Sequence, residues 1–234
     1  LVSNSSLCTR TILSVFGEHD ITDVQAIVDQ CPMLATLGIG LSGVTSISTP
    51  NNPLLNVLSW GGAGSSPLTS IDLTGSPLVT YISGMGQNLV TCNTTGLTEL
   101  NYFMSYGNPA FGGPIFDVTT NVKLVEFRPK GTIMSNIDLS NNVLLEKLLI
   151  NGSPNLTSLD LSNSPSLTEL WAYDCVSLTS ITLGNNIDLT ALAPNFKTYG
   201  GSASLVIHVG NGAGRVALAQ SLFTQITVGT TFAI

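Results

Sequence analysis

Leucines in this chain fall on a stride of eleven. Leu145, Leu156, Leu167, Leu178 and Leu189 recur at that interval, with Leu148, Leu159, Leu170, Ile181 and Leu192 three residues behind them. Ile150, Leu161, Ala172 and Leu183 form a third row. The unit reads P-x-L-T-x-L-x-L-x-x-S/N, as in the run from Pro154 to Leu161. Its L-x-L step alternates apolar and polar, the pattern of a strand with one buried face. Eleven residues cannot close a turn around a core, so two units make one coil of about 22 residues.

The same phase runs upstream through Leu37, Ile47, Leu58, Ile71, Ile82, Cys92 and Leu100, then resumes at Phe127, Ile137 and Leu148. The gap after Leu100 fits one degenerate unit near Phe116 plus about five inserted residues. The predicted fold is a mostly-β solenoid, leucine-rich-repeat-like, of about seven coils with α/β caps at both ends. A solenoid must cover its end coils. Residues 1–32 are assigned to an N-terminal cap, with a strand at Ile12–Phe16 and a helix after Asp20 carrying Ile21, Val24, Ile27 and Val28. Residues 33–194 form the solenoid. Residues 195–234 form the C-terminal cap, with strands at Leu205–Val209 and Ile226–Val228 around a helix at Arg215–Phe223.

Composition narrows the function classes. Charged residues are 9% of 234 and hydrophobic residues 43%, the reverse of a disordered chain. Seven Lys+Arg against fourteen Asp+Glu leave a net charge of -7, with no basic footprint for nucleic acid. Polar residues interrupt every apolar run, so no membrane insertion is expected. Cys8, Cys31, Cys92 and Cys175 lack metal-ligand spacing, and His19 and His208 lie far apart, so no metal site and no cofactor is implied. In an exported protein a Cys8–Cys31 disulfide is plausible; the alternative is two buried thiols. Cys92 falls on a core position. A start at Leu1, few lysines and a Ser/Thr/Asn-rich exterior suggest a processed chain or fragment that is extracellular, at the cell surface, or virion-borne.

At Leu156–Ser164 and Leu178–Asn186 the chain matches L-x-x-L-x-L-x-x-N/S, with recurring L-T-x-L and S-N-N turns. Over residues 33–193 it resembles the leucine-rich repeats of bacterial surface proteins, particularly the short Asn/Ser-rich type of Bacteroidetes and their phages. The resemblance implies a binding or adhesion module and lends no catalytic residue.

Alternate units face opposite sides, which sorts the outward residues. One side is short and polar: Ser46, Ser48, Ser70, Asp72, Asn93, Asn136, Asp138, Ser158, Asp160, Ser180 and Thr182. The other gathers Tyr81, Glu99, Asn101, Phe103, Glu126, Arg128, Lys130, Lys147, Leu149, Glu169, Trp171 and Tyr173. Exposed Trp, Tyr and Arg are enriched at binding hot spots, so Tyr81, Phe103, Glu126, Arg128, Lys130, Lys147, Glu169, Trp171 and Tyr173 are candidate ligand-binding residues. The alternative is a sheet whose aromatics and ion pairs only support one another. Tyr106 and Phe111 join the candidates because residues 103–119 mix aromatics with Gly and Pro; the competing reading is an imperfect coil whose rings plug the core. Gly210–Gly214 reads as a strand–helix turn. Glu99, Glu126 and Glu169 read as ion-pair partners, not a glycosidase pair.

The expected function is a non-enzymatic extracellular recognition or adhesion module whose partner is a protein or glycan surface. The alternative is a structural virion component, such as a phage fibre, spike or capsid-decorating protein, bound to itself or to other virion proteins.

Overall fold

A computed structural model describes residues 11–15, 24–40, 43–61, 67–86, 88–113, 116–226 and 228–234. Among these the chain winds as a parallel solenoid. One side is a nine-stranded sheet, hereafter the long sheet. In order across it stand Ile12–Val15, Thr36–Ile39, Val57–Trp60, Tyr81–Met85, Tyr102–Tyr106, Glu126–Arg128, Lys147–Leu149, Glu169–Trp171 and Phe196–Lys197. Among the described residues the opposite flank carries two short sheets. Ser46–Ser48, Ser70–Asp72 and Thr91–Asn93 form one short sheet, and Ser158–Leu161, Ser180–Leu183, Val206–His208 and Thr231–Ala233 form another. Consecutive strands of the chain mostly alternate between the two sides, so each parallel neighbour is one coil away.

The register is set by inward side chains. Leu37, Leu58, Ile82, Phe103, Phe127, Leu148, Leu170 and Phe196 are successive partners across the long sheet, and all are fully buried. Ile47, Ile71 and Cys92 do the same on the flank, as do Leu159, Ile181 and Ile207. Burial of such side chains contributes on the order of 1.5–3 kcal/mol each.

These partners correct the sequence reading at one point. The ladder partner in its coil is Phe103, not Leu100, which is buried one step earlier in the position of Leu55 and Leu145. From flank to long sheet the path is eleven residues at every step from Ile47–Leu58 through Leu159–Leu170, Cys92–Phe103 included. The return path alternates between ten and thirteen residues from Leu37 to Ile137, then settles at eleven. No separate insertion is needed, because Phe103–Phe127 is as long as Leu58–Ile82. Leu97 misleads by standing where neighbouring coils carry Asn52, Ser76, Asn121 and Asn142. Leu97-Thr98-Glu99-Leu100 therefore imitates the repeat one turn early.

That turn position is a polar ladder in most coils. Asn52 Nδ2 donates to the carbonyls of Val28 and Cys31, both at 2.9 Å. Asn121 does the same to Thr94 and Leu97, and Asn142 to Val118 and Asn121. A buried turn must satisfy its carbonyls, and one amide serves two in the coil before it. Asn141 and Asn163 make single inter-coil bonds nearer the surface.

The ends are covered by side chains as well as by helices. In the helix Val24–Asp29, Val24 and Val28 are buried. Gln25 meets the first flank strand as another strand would, accepting from the Ser48 N–H at 2.9 Å and donating to its carbonyl at 2.8 Å. At the other end the helix Ala213–Leu222 is anchored by Arg215, whose guanidinium donates to the carbonyls of Val209, Gly184 and Ile187. Phe223 stacks on Phe196 at 4.1 Å. The last strand among the described residues is Thr231–Ala233, whose register opposite Val206–His208 places Phe232 over Ile207; the strand expected at Ile226–Val228 includes residue 227, which lies outside the described residues. A short helix at Leu189–Leu192, capped by Asp188, and the strand Phe196–Lys197 carry the long sheet one coil beyond the repeat. No helix among the described residues is long and apolar enough to cross a membrane.

Candidate binding face

The outward side of the long sheet carries large side chains in cross-strand rows. Tyr81, Tyr102, Glu126, Lys147 and Glu169 occupy one row. Met104, Arg128, Leu149, Trp171 and Lys197 occupy the next. Tyr106, Lys130, Tyr173 and Tyr199 stand along the margin where the strands end.

Contacts within the rows follow from strand spacing. The Tyr81 and Tyr102 rings lie 4.4 Å apart with planes 5° from parallel, and Tyr173 and Tyr199 lie 4.8 Å apart at 6°. Three cations lie over rings: Arg128 over Tyr102 at 5.7 Å, Lys130 over Tyr106 at 5.4 Å and Lys197 over Trp171 at 4.0 Å. Glu126 accepts from Lys147 Nζ at 2.7 Å and from Arg128 Nη2 at 2.5 Å. Burial pushes the Glu126 carboxyl up, but these two hydrogen bonds outweigh it and hold it below its usual range. Burial, reinforced by Tyr81, pushes the Tyr102 phenol up to about 12. Leu149 points outward yet is only 2% exposed, wedged in its row between Arg128 and Trp171. Arg128 Nε and Trp171 Nε1 are buried without a hydrogen-bond partner among the described residues.

Of the residues singled out from sequence, Tyr81, Glu126, Arg128, Lys130, Lys147, Glu169, Trp171 and Tyr173 lie together on or beside this face. Phe103 and Phe111 do not. Both are fully buried and pack with Phe116 and Phe127 at centroid distances of 5.0–6.0 Å. They fill the coil interior, which corrects their assignment to ligand binding. Tyr106 stays half-buried at the margin. Glu99 and Asn101 also leave the face: Glu99 sits in a turn, paired with Lys123 at 2.7 Å. Sequence reasoning missed Tyr102 and Met104, although eleven residues past Cys92 points to Phe103 and hence to its neighbours. Lys197 and Tyr199 were hidden in the segment assigned to the cap. Cys31 is buried, and Cys8 lies outside the described residues. Burial pushes the Cys92 thiol far up and that of Cys175 up to about 11, so neither is a ready nucleophile.

The flank offers less. Its outward residues are short, and the carboxylates turn back on their own chain: Asp72, Asp117, Asp138 and Asp160 each accept the N–H two residues on. Two shallow cavities lie along the flank. One of about 220 Å³ is lined by Asn136, Asp138, Asp160 and Asn163. The other, of about 300 Å³, is lined by Val90, Cys92, Gly112 and Phe116. No group of three or more His, Cys, Asp or Glu that could hold a metal occurs among the described residues.

No family profile and no characterised protein matches the chain by sequence. Solved structures do match. The functional domain of InlJ from Listeria monocytogenes, which includes a cysteine ladder, superposes with a TM-score of 0.65 at 21% identity, over 87% of this chain and 45% of that one. The fold is a leucine-rich-repeat solenoid. The internalin InlF of the same organism aligns over 100% of this chain and 90% of its own at 16% identity. Its TM-score of 0.38 adds nothing to the argument. The leucine-rich-repeat likeness concerns architecture alone, and this chain spans less than half of the InlJ chain.

Proposed function

We propose that this protein is a non-enzymatic recognition or adhesion module of the extracellular or cell-surface kind, and that its partner surface is met by the long sheet. The observation that carries the reading is the segregation of side chains. Six aromatic residues (Tyr81, Tyr102, Tyr106, Trp171, Tyr173, Tyr199) and four cations share one face of a ladder whose other face is mostly Ser, Thr, Asn and Asp, with Val206, His208 and Ala233 only in its last two strands. Internal support needs only part of that: the single charge of Glu126 already pairs with two cations, Arg128 and Lys147, whereas Lys130 and Lys197 have no acidic partner among the described residues. The resemblance to bacterial surface repeats agrees with this role.

The test is a protein array and a glycan array probed in parallel with three forms of the chain. One is the native sequence. The second carries Tyr102→Ser, Arg128→Ala and Trp171→Ala; the third carries Ser158→Lys and Ser180→Lys on the flank. Binding kept by the third form and lost by the second is the expected result. Loss in the third form alone moves the site to the flank.

An assembly role, as in a phage fibre, spike or decorating protein, draws on a different observation. Met33, Leu54, Leu78 and Leu144 hold one position of successive turns and are 42–48% exposed, with the Glu99–Lys123 pair occupying the same position between them. A lengthwise apolar stripe suits burial between subunits. Light scattering separates the two roles: a monomer supports recognition, and trimers or fibres support assembly.

A further inference from the structure

The long sheet has a charge that the chain as a whole does not. The protein carries -7, yet four of its seven Lys and Arg residues stand on or beside this face. Glu126 holds Arg128 and Lys147, Glu169 adds one more carboxylate, and Asp174 stands at the margin after Tyr173, so the four cations still outnumber the three carboxylates. Lys130 and Lys197 instead lie over the rings of Tyr106 and Trp171. An ammonium held over a ring is not neutralised by it and keeps N–H donors to offer.

The rings indicate which kind of anion fits. Tyr81 and Tyr102 are registered neighbours on adjacent strands, and their 4.4 Å separation is close to the strand spacing. Tyr173 and Tyr199 repeat the geometry at 4.8 Å. Rings stacked this way turn faces toward each other, and the Tyr102 hydroxyl lies along the sheet against Met104 Sδ at 3.6 Å. A sugar ring that packs on an aromatic needs an open face. This surface presents ammonium groups, which suit hydrogen bonding and ion pairing.

We propose that this end of the long sheet binds an extended acidic segment of a partner protein, one carboxylate meeting Lys130 and another Lys197. The inference rests on the reading of the long sheet as the recognition face. The strand that leads to Lys130 and the strand of Lys197 are three ladder steps apart, about 14 Å. Lys130 also lies two residues past the row of Lys197, about 7 Å along the strands, so the two positions are about 16 Å apart. An extended chain places residues i and i+4 on one side about 13 Å apart, and the reach of the lysine and glutamate side chains closes the rest.

The experiment uses the full chain and a fluorescein-labelled peptide of alternating Glu and Ser, read by anisotropy at low salt. The same peptide with Gln for every Glu, chondroitin sulfate and maltohexaose are the comparison probes. The Glu/Ser peptide is expected to bind saturably and to weaken as salt rises. Lys130→Gln or Lys197→Gln weakens it roughly tenfold without shifting the melting temperature, and Lys197→Arg retains it. Equal binding of the Gln peptide overturns the proposal, as does no binding of the Glu/Ser peptide. Binding of chondroitin sulfate alone overturns it in favour of a glycan. Failure of the wider reading is distinguishable: an array ligand would then survive Tyr102→Ser, Arg128→Ala and Trp171→Ala. If only the acidic-segment proposal fails, that ligand is lost with those three substitutions but ignores Lys130→Gln and Lys197→Gln.

Discussion

The long sheet and the flank are made by the same winding, yet among the described residues only the long sheet forms a single ladder. The path into the long sheet is eleven residues in every regular coil, so each strand arrives in the same register and nine strands line up. The path into the flank varies between ten and thirteen over the first half of the chain. Among the described residues the flank there forms two short sheets, one ending at Thr91–Asn93 and the next beginning at Ser158–Leu161, with Phe116 and Ile137 buried between them. Side-chain size follows the backbone. A tyrosine stack needs a second ring at strand spacing on an adjacent strand or coil, and the long-sheet side supplies such a pair twice, at Tyr81–Tyr102 and at Tyr173–Tyr199. On the flank, each carboxylate finds a partner in its own turn and needs no neighbour.

The sharpest way to break this comparison is at adjacent residues of one strand. Phe103→Ala empties a fully buried position and is expected to cost about 3–5 kcal/mol in urea denaturation. Tyr102→Ala, one residue earlier on the outer face, should cost far less while removing the ring beneath Arg128. The opposite order would return Leu100 to the inward position of this coil and exchange the faces there. A smaller effect is expected at the turns. Asn142→Leu strands two buried carbonyls, at about 1–3 kcal/mol, whereas Asn163→Leu gives up one exposed bond and should be nearly silent.

These two tests also mark how far the sequence could be read. The coil, the alternation of sides and the polar flank were legible because inward Leu and Ile cannot tolerate a slip: a shift of one residue turns every side chain over. Leu97 defeated the reading locally, since a leucine at a turn position that asparagine or serine usually fills looks like a repeat leucine. Phe103 and Phe111 were misplaced for a related reason. Aromatics among Gly and Pro resemble a surface loop, and only packing against Phe116 and Phe127 shows that they replace leucines in a wide coil. The pairing of Lys130 and Lys197 with rings left no trace in the repeat, because it depends on residues a full coil apart. Lys197 lies beyond the periodic region altogether.

The smallest expected effect compares carboxylates on the two sides under acid. Asp117 and Asp138 are held below the usual range by hydrogen bonds from Thr119 and Ser140, side chain first and then backbone. Glu126 is held low against its own burial by Lys147 and Arg128. In all three the folded-state pKa lies below the unfolded one. Their stabilisation is therefore complete above the ordinary carboxylate pKa, about 4, and is lost as pH falls through the folded values. Asp138→Asn keeps an acceptor oxygen for the Ser140 N–H. Stability at neutral pH should then change by less than about 0.5 kcal/mol, and the acid slope of the melting temperature should flatten only slightly. Glu126→Gln should flatten it more, because two cations lose their charge partner and the side chain is only 20% exposed. Salt separates the two further: it screens the Glu126 pairs more than a bond between a side chain and its own turn. Equal flattening by both substitutions at low salt would mean that the long sheet holds its charges no more tightly than the flank does.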